Sequence, residues 1–151
     1  MRIALDTNIL VYAENINGPE PRDAALALIA GLTAETVLVP MQVLGELFHV
    51  LVRKGARSPE EARAAFLRWR STFETISTNE DAFLAAADLS VDHKIMIWDA
   101  VILSAAADAR CGLFLSEDLQ DGFVWRGLTV ANPFAPKRHP LIDAALGTGR
   151  I

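Results

Sequence analysis

The chain has 151 residues, of which 52% are hydrophobic and 22% charged, and it carries a net charge of −5. That is the length and balance of one globular domain able to bury its own core. The single Cys111 excludes an internal disulfide, and the negative charge argues against simple electrostatic binding of nucleic acid. No basic segment precedes an unbroken apolar stretch, because Asp6 interrupts it, and no run approaches the length of a membrane span. The expectation is a cytoplasmic protein with no membrane partner.

In chain order, Ile3 to Leu5 suits a short buried strand that stops at Asp6-Thr7-Asn8, three residues able to cap a helix from Ile9 to Ala13. The turn cluster Asn17-Gly18-Pro19-Glu20-Pro21 precedes an apolar helix over Ala24 to Leu32 that starts near Pro21. Thr36 to Val39 is β-branched and short, a second strand ended by Pro40, and Met41 to Lys54 has helical length and period, stopped by Gly55. Ser58-Pro59-Glu60-Glu61 predicts a helix start, with Ser58 as N-cap, Pro59 at the first helical position and Glu61 placed for a capping box, the helix running to about Phe73. Thr75 to Ser77 is a brief third strand, and Ser77-Thr78-Asn79-Glu80 opens a helix ending near His93-Lys94. A helix from about Ile97 to Arg110 stops at Gly112 before the strand Leu113 to Leu115, and a polar loop over Ser116 to Gly122 leads to a last strand at Leu128 to Ala131. The tail contains Pro136, Lys137, Arg138 and Pro140 and a short helix at Leu141 to Leu146, either a docking arm or a frayed end.

Strands alternating with helices predict an α/β fold, a parallel sheet with right-handed crossovers and helices on both faces. Helix starts and strand ends then share one edge of the sheet, where ligands of open parallel sheets bind. Four acids belong there: Asp6 after the first strand, Glu46 in the second turn of the helix after the second, Asp99 in the first turn of the helix leading into the Leu113 strand, and Asp118 just beyond it. Each has an ordinary structural explanation. Asp6 can be only an N-cap, Asp118 only a turn residue, and Asp99 a first-turn acid complementing the helix dipole. Glu46 shares a helical stripe with Gln42, His49 and Arg53 that could be a solvated face. Their convergence carries the functional reading. Carboxylates gathered without cationic partners resist ionisation, so the arrangement calls for cations between them, and hard oxygen ligands select Mg²⁺ or Mn²⁺. The chemistry that follows is phosphodiester hydrolysis.

Charge is also segregated. Arg53, Lys54, Arg57, Arg63, Arg68 and Arg70 face only Glu60 and Glu61 over residues 53–70, which permits a phosphate-binding flank beside an acidic centre. A Gly-rich phosphate loop, a nucleophile-elbow serine and a zinc spacing of Cys and His are absent from the sequence, and a glycosidase pair would leave two acids unexplained.

Leu5-Asp6-Thr7-Asn8, Gly45-Glu46-Leu47, Trp98-Asp99-Ala100-Val101-Ile102 and Ser116-Glu117-Asp118-Leu119, in this order and spacing, resemble the PIN-domain ribonucleases, particularly the VapC-like toxins of bacterial toxin–antitoxin pairs. The resemblance covers residues 2 to about 134, so 1–134 would be a PIN-like nuclease domain and 135–151 a C-terminal tail outside the pattern. It implies a three-layer fold with a five-stranded parallel sheet, metal-dependent cleavage of an RNA substrate, and a homodimer inhibited by a cognate antitoxin. Carried over by position, Asp6, Glu46, Asp99 and Asp118 would be the metal-binding acids, with Asp121 where some members have a further acid. Thr7, Asn8 and Ser116 would be the accompanying polar residues. On the nuclease reading, Arg53, Arg57 or Arg68 of the cationic stretch would lie near RNA phosphates. The competing readings are a non-catalytic PIN-like module binding RNA or protein, a related metal-dependent nuclease acting on DNA, and a small-molecule phosphatase on a similar sheet.

Overall fold

The computed structural model describes residues 1–147, and strand β1 (Ile3–Leu5) lies in the interior of its sheet with all three side chains buried. It pairs in parallel with β2 (Val37–Pro40) on one side and β4 (Leu113–Leu115) on the other, both also buried throughout. Strands covered on both faces need continuous apolar runs rather than alternation, which is what these three segments supply. Beyond β2 lies β3 (Glu74–Ile76), and beyond β4 lies β6 (Leu128–Ala131), again parallel. Pro40 costs no ladder bond because it is the last residue of its strand.

Among the described residues, the five expected parallel strands are joined by a sixth at one edge, in the order β3-β2-β1-β4-β6-β5. The extra strand β5 (Val124–Trp125) runs antiparallel to β6 at the edge. Arg126 and Gly127 form the two-residue turn between them with φ of 48° and 80°. Two successive positive φ values are the backbone of the hairpin turns whose twist matches paired strands. A strand of two residues has no periodicity to read, and an Arg in the left-handed region gives no turn signal, so the hairpin was not legible beforehand.

Helices α1 (Thr7–Ala13) and α2 (Pro19–Gly31) connect β1 to β2, and α3 (Met41–Arg53) and α4 (Pro59–Thr72) connect β2 to β3. Helices α5 (Glu80–His93) and α6 (Ile97–Asp108) carry the chain back across the sheet to β4. Local chemistry sets their starts. Ser58 Oγ accepts the Glu61 N–H at 3.1 Å, and Asn79 Oδ1 accepts the Ala82 N–H at 2.8 Å. The predicted ends hold to within a few residues. The amphipathic α3 buries Val43, Leu44, Leu47 and Leu51, whereas α6 is buried along Ala100 to Ala106.

The C-terminal segment is docked, not frayed, over its described part. Helix α7 (Pro140–Ala145) puts Ile142 into the core at 0% exposure, and Leu146 packs directly over Gly31 of α2. The last four residues of the predicted tail lie outside the described residues. Cys111 is buried, and burial pushes its thiol up to about 11, so it is an inert core residue. No helix among the described residues is long and apolar enough to cross a membrane.

The chain winds outward from β1 through β2 to β3, then returns to β4 on the other side of β1. The reversal leaves a crevice beyond the carboxyl ends of β1 and β4, the place where open α/β sheets bind ligands.

Candidate functional site

At that crevice lies a cleft of about 390 Å³ lined by Asp6, Thr7, Asn8, Gln42, Gly45, Glu46, His49, Val50, Asp99 and Asp118. The four acids singled out in the sequence therefore meet, brought by four different elements: the end of β1, α3, the first turn of α6 and the loop after β4.

Asp6 is the most constrained. It is 6% exposed and its backbone N–H donates to Leu115 O, which fixes the end of β1 against β4. Oδ1 accepts the Thr7 N–H at 2.8 Å, as an N-cap does, and Oδ2 accepts the hydroxyl of the buried Ser116 at 2.6 Å. Burial raises its pKa from 3.8 to about 6, a rise that these two hydrogen bonds oppose and the charges of Asp99 and Asp118 reinforce. Asp99 is half-buried, and its pKa is raised by burial first and then by Glu46 and Asp118. Among the described residues, no lysine or arginine lines this cleft.

Small polar neighbours hold the other acids. Thr7 Oγ1 donates to Glu46 Oε2 at 2.6 Å, tying α1 to α3, and Gln42 Nε2 reaches Glu46 Oε1 at 3.3 Å. Asn8 Nδ2 donates to Asp118 Oδ2 at 2.5 Å, and Ser116 Oγ also accepts the Asp118 N–H at 3.2 Å. Next along this loop, the Tyr12 hydroxyl donates to Glu117. Thr7, Asn8 and Ser116 thus orient the acids, contacts that sequence spacing alone could not specify.

Asp121 is not among the residues that line the cleft. Its Oδ1 accepts the Asn132 N–H at 2.9 Å and so closes the loop onto the end of β6. Arg57 and Arg68 also lie elsewhere, both paired to Glu14 at the end of α1, at 2.7 and 3.1 Å. Arg53 is exposed at the end of α3, on the stripe that runs from Gln42 through Glu46 and His49. The residue that sequence reading passed over is Gly45, quoted only as part of a motif.

The donor set is hard oxygen, with no compensating lysine or arginine among the described residues, which fits a hydrated divalent metal ion. Among the described residues, no three acidic, His or Cys side chains already converge as a closed metal cage. An open cleft with its carboxylates held singly still fits an ion that binds one or two carboxylates directly and keeps several waters.

The sequence matches the PIN domain family over residues 3–120, most of the chain. The chain belongs to the PIN domain family. Its architecture, a mostly parallel α/β sheet flanked by helices, is that of PIN domains of known structure. VapC20 of Mycobacterium tuberculosis, described as a sarcin–ricin loop cleaving toxin, is 19% identical, with a TM-score of 0.62 over 74% of this chain and 86% of that one. A toxin–antitoxin complex from Klebsiella pneumoniae is 21% identical, with a TM-score of 0.66 over 87% and 98%. VapBC-1 from nontypeable Haemophilus influenzae is 16% identical, with a TM-score of 0.64 over 89% and 100%. No curated protein sequence matches the chain. At these identities the structural likeness speaks for the PIN fold alone.

Proposed function

We propose that this PIN domain is a metal-dependent endoribonuclease, the toxin of a toxin–antitoxin pair, with Asp6, Glu46, Asp99 and Asp118 as its metal-binding acids. The observation that carries the reading is the lysine- and arginine-free cleft at the β1–β4 reversal, where burial and neighbouring carboxylates hold Asp6 and Asp99 above their ordinary pKa. Bound Mg²⁺ or Mn²⁺ would neutralise the scissile phosphate and supply an activated water for in-line displacement. The protein's own contribution is orientation. Ser116 and the Thr7 N–H fix both oxygens of Asp6, Thr7 fixes Glu46, and Asn8 fixes Asp118, so the acids present lone pairs to the cleft from set directions. Asp99 has its backbone fixed in the first turn of α6 and is held near Glu46 and Asp118.

RNA is favoured over DNA as substrate, and an antitoxin as partner, by the likeness to VapC20 and to the toxin–antitoxin complexes. A homodimer completes the reading, supported by exposed apolar side chains on α5 and at the start of α6. Leu84, Val91, Met96 and Trp98 are 61, 80, 74 and 51% exposed there, apolar side chains that a second copy could cover. Light scattering should give a dimer mass that Val91→Glu with Met96→Glu converts to a monomer; a wild-type monomer would remove this part.

The decisive test is cleavage of RNA by purified protein with Mg²⁺ or Mn²⁺, abolished by chelator and reduced at least about a hundredfold in Asp6→Asn or Asp99→Asn, each folded by circular dichroism. Equal cleavage in excess chelator, or wild-type rates in both variants, would refute the assignment.

A further inference from the structure

Gly45 lies inside α3, exposed, on the wall of the acidic cleft and one residue before Glu46. After proline, glycine is the poorest residue for a helix interior, because it forfeits more backbone freedom there than any other. The other described glycines have a structural reason. Gly18, Gly122, Gly127 and Gly147 have positive φ, and a Cβ on Gly31, Gly55 or Gly112 would come within 2.8, 2.7 or 3.0 Å of neighbouring atoms. Gly45 alone among them has neither: its backbone is helical, and a Cβ there would meet nothing within 4 Å. Nothing within the folded domain explains why the position is not alanine, and the open space above it is the space of the cleft.

Resting on the ribonuclease reading, we infer that Gly45 is the point where the bound RNA strand's sugar–phosphate backbone crosses the wall of the cleft, in contact with the α3 backbone. A phosphodiester held at the four acids belongs to a strand that must leave the cleft over its rim, and a missing side chain on that rim is where a backbone approaches closest. The flanking residues on the stripe suit such a path. Gln42 lies three residues before Gly45 and His49 four after it, both lining the cleft, and the exposed Arg53 follows one turn beyond His49. They offer amide, imidazole and guanidinium donors along the side of a strand that the acids themselves would repel. Arg53 supplies the cation that Arg57 and Arg68, tied to Glu14, do not bring to this path.

Gly45→Ala and Gly45→Leu test the inference, because both replace a poor helix former in a place with room for it. Each should raise the Tm of the RNA-free protein, by about 2 to 4 °C for alanine. Each should also raise KM for an RNA oligonucleotide, about tenfold for alanine and about a hundredfold for leucine, with the smaller change in kcat. In the Asp99→Asn background, fluorescence anisotropy should show the same ranking in the RNA dissociation constant. Unchanged KM and affinity in both variants, with the Tm gained, would overturn the inference while leaving the nuclease assignment intact. So would a fall in kcat at constant KM and affinity, which would mean that Gly45 acts through Glu46. Weakened binding of an antitoxin with RNA cleavage unchanged would assign the glycine to that partner and overturn the RNA path. A wild type that neither cleaves nor binds RNA would instead remove the ribonuclease reading, and this inference with it.

Discussion

Asp6 and Glu14 cap the two ends of one short helix, α1, and the protein treats them in opposite ways. Asp6 sits at the N-terminus, where the helix dipole and the Thr7 N–H favour a carboxylate, yet its pKa is raised to about 6 because it is buried among other acids with no cation beside it. Glu14 sits at the C-terminus, where the dipole disfavours a negative charge, and its pKa is nevertheless lowered. Burial alone would raise it. The hydrogen bonds from Arg57 and from the Trp69 indole, with the charges of Arg57 and Arg68, outweigh burial. Arg57 also donates to the Glu14 carbonyl at 2.6 Å, satisfying a backbone group that the helix end leaves without an intrahelical partner. A buried acid that holds the fold together is thus supplied with its cation by the chain. The acids of the cleft are left without one, the arrangement expected where the cation comes from outside.

The sharpest test of this contrast is the pH dependence of metal-free stability. Below about 3.8 Asp6 is protonated in both states and costs nothing; as pH rises to about 6 the unfolded chain ionises while the folded one resists. Stability should therefore be lost as pH rises through about 6, by roughly 3 kcal/mol if the whole shift is expressed. Urea unfolding in chelator, with wild type compared against Asp6→Asn, isolates this contribution, because Glu14 has the opposite sign and cancels in the difference. A difference that stays flat between mildly acidic and neutral pH would mean that Asp6 is an ordinary cap.

Breaking the other site should have the next largest effect. Arg57→Ala leaves a mostly buried Glu14 with the exposed Arg68 and the Trp69 indole, and should destabilise the fold by about 2 to 3 kcal/mol. The loss should be greatest at neutral pH and shrink in acid as Glu14 protonates. The same substitution should leave the salt dependence of RNA binding unchanged, and a flattened slope would return Arg57 to the phosphate path.

The smallest effect separates repulsion from capping at a single residue. In chelator at neutral pH, Asp99→Asn should raise Tm by about 1 to 2 °C, since it removes one of several mutually repelling carboxylates. It should also forfeit most of the Tm gain that Mg²⁺ should give the wild type if, as proposed, the ion binds the folded state at these acids. A neutral or lowered Tm, with the Mg²⁺ response intact, would make Asp99 a structural first-turn acid.

The α/β order, the central strands, most helix starts and the shared edge of Asp6, Glu46, Asp99 and Asp118 were legible in the sequence because each rests on a local or topological rule. Buried parallel strands require unbroken apolar runs, and Ser58 and Asn79 cap through their own neighbouring N–H groups. A helix that returns the chain between parallel strands runs antiparallel to them, so its start shares an edge with the strand ends. Other features depend on residues far apart in the chain. Asp121 and Asp118 look alike in sequence, three residues apart, but the end of β6 claims one carboxylate while Asn8 of α1 orients the other. The excess of cations over residues 53–70 suggested a phosphate flank. Only the tertiary fold brings Arg57, in the loop before α4, and Arg68, on α4, to the Glu14 carboxylate at the end of α1. The openness above Gly45 is likewise a property of what the fold leaves empty. Local sequence determined most of the elements, though not the β5 hairpin, and which edge carries the acids; the tertiary structure decided which charges meet a partner, because pairing depends on distances across the fold that no local pattern encodes.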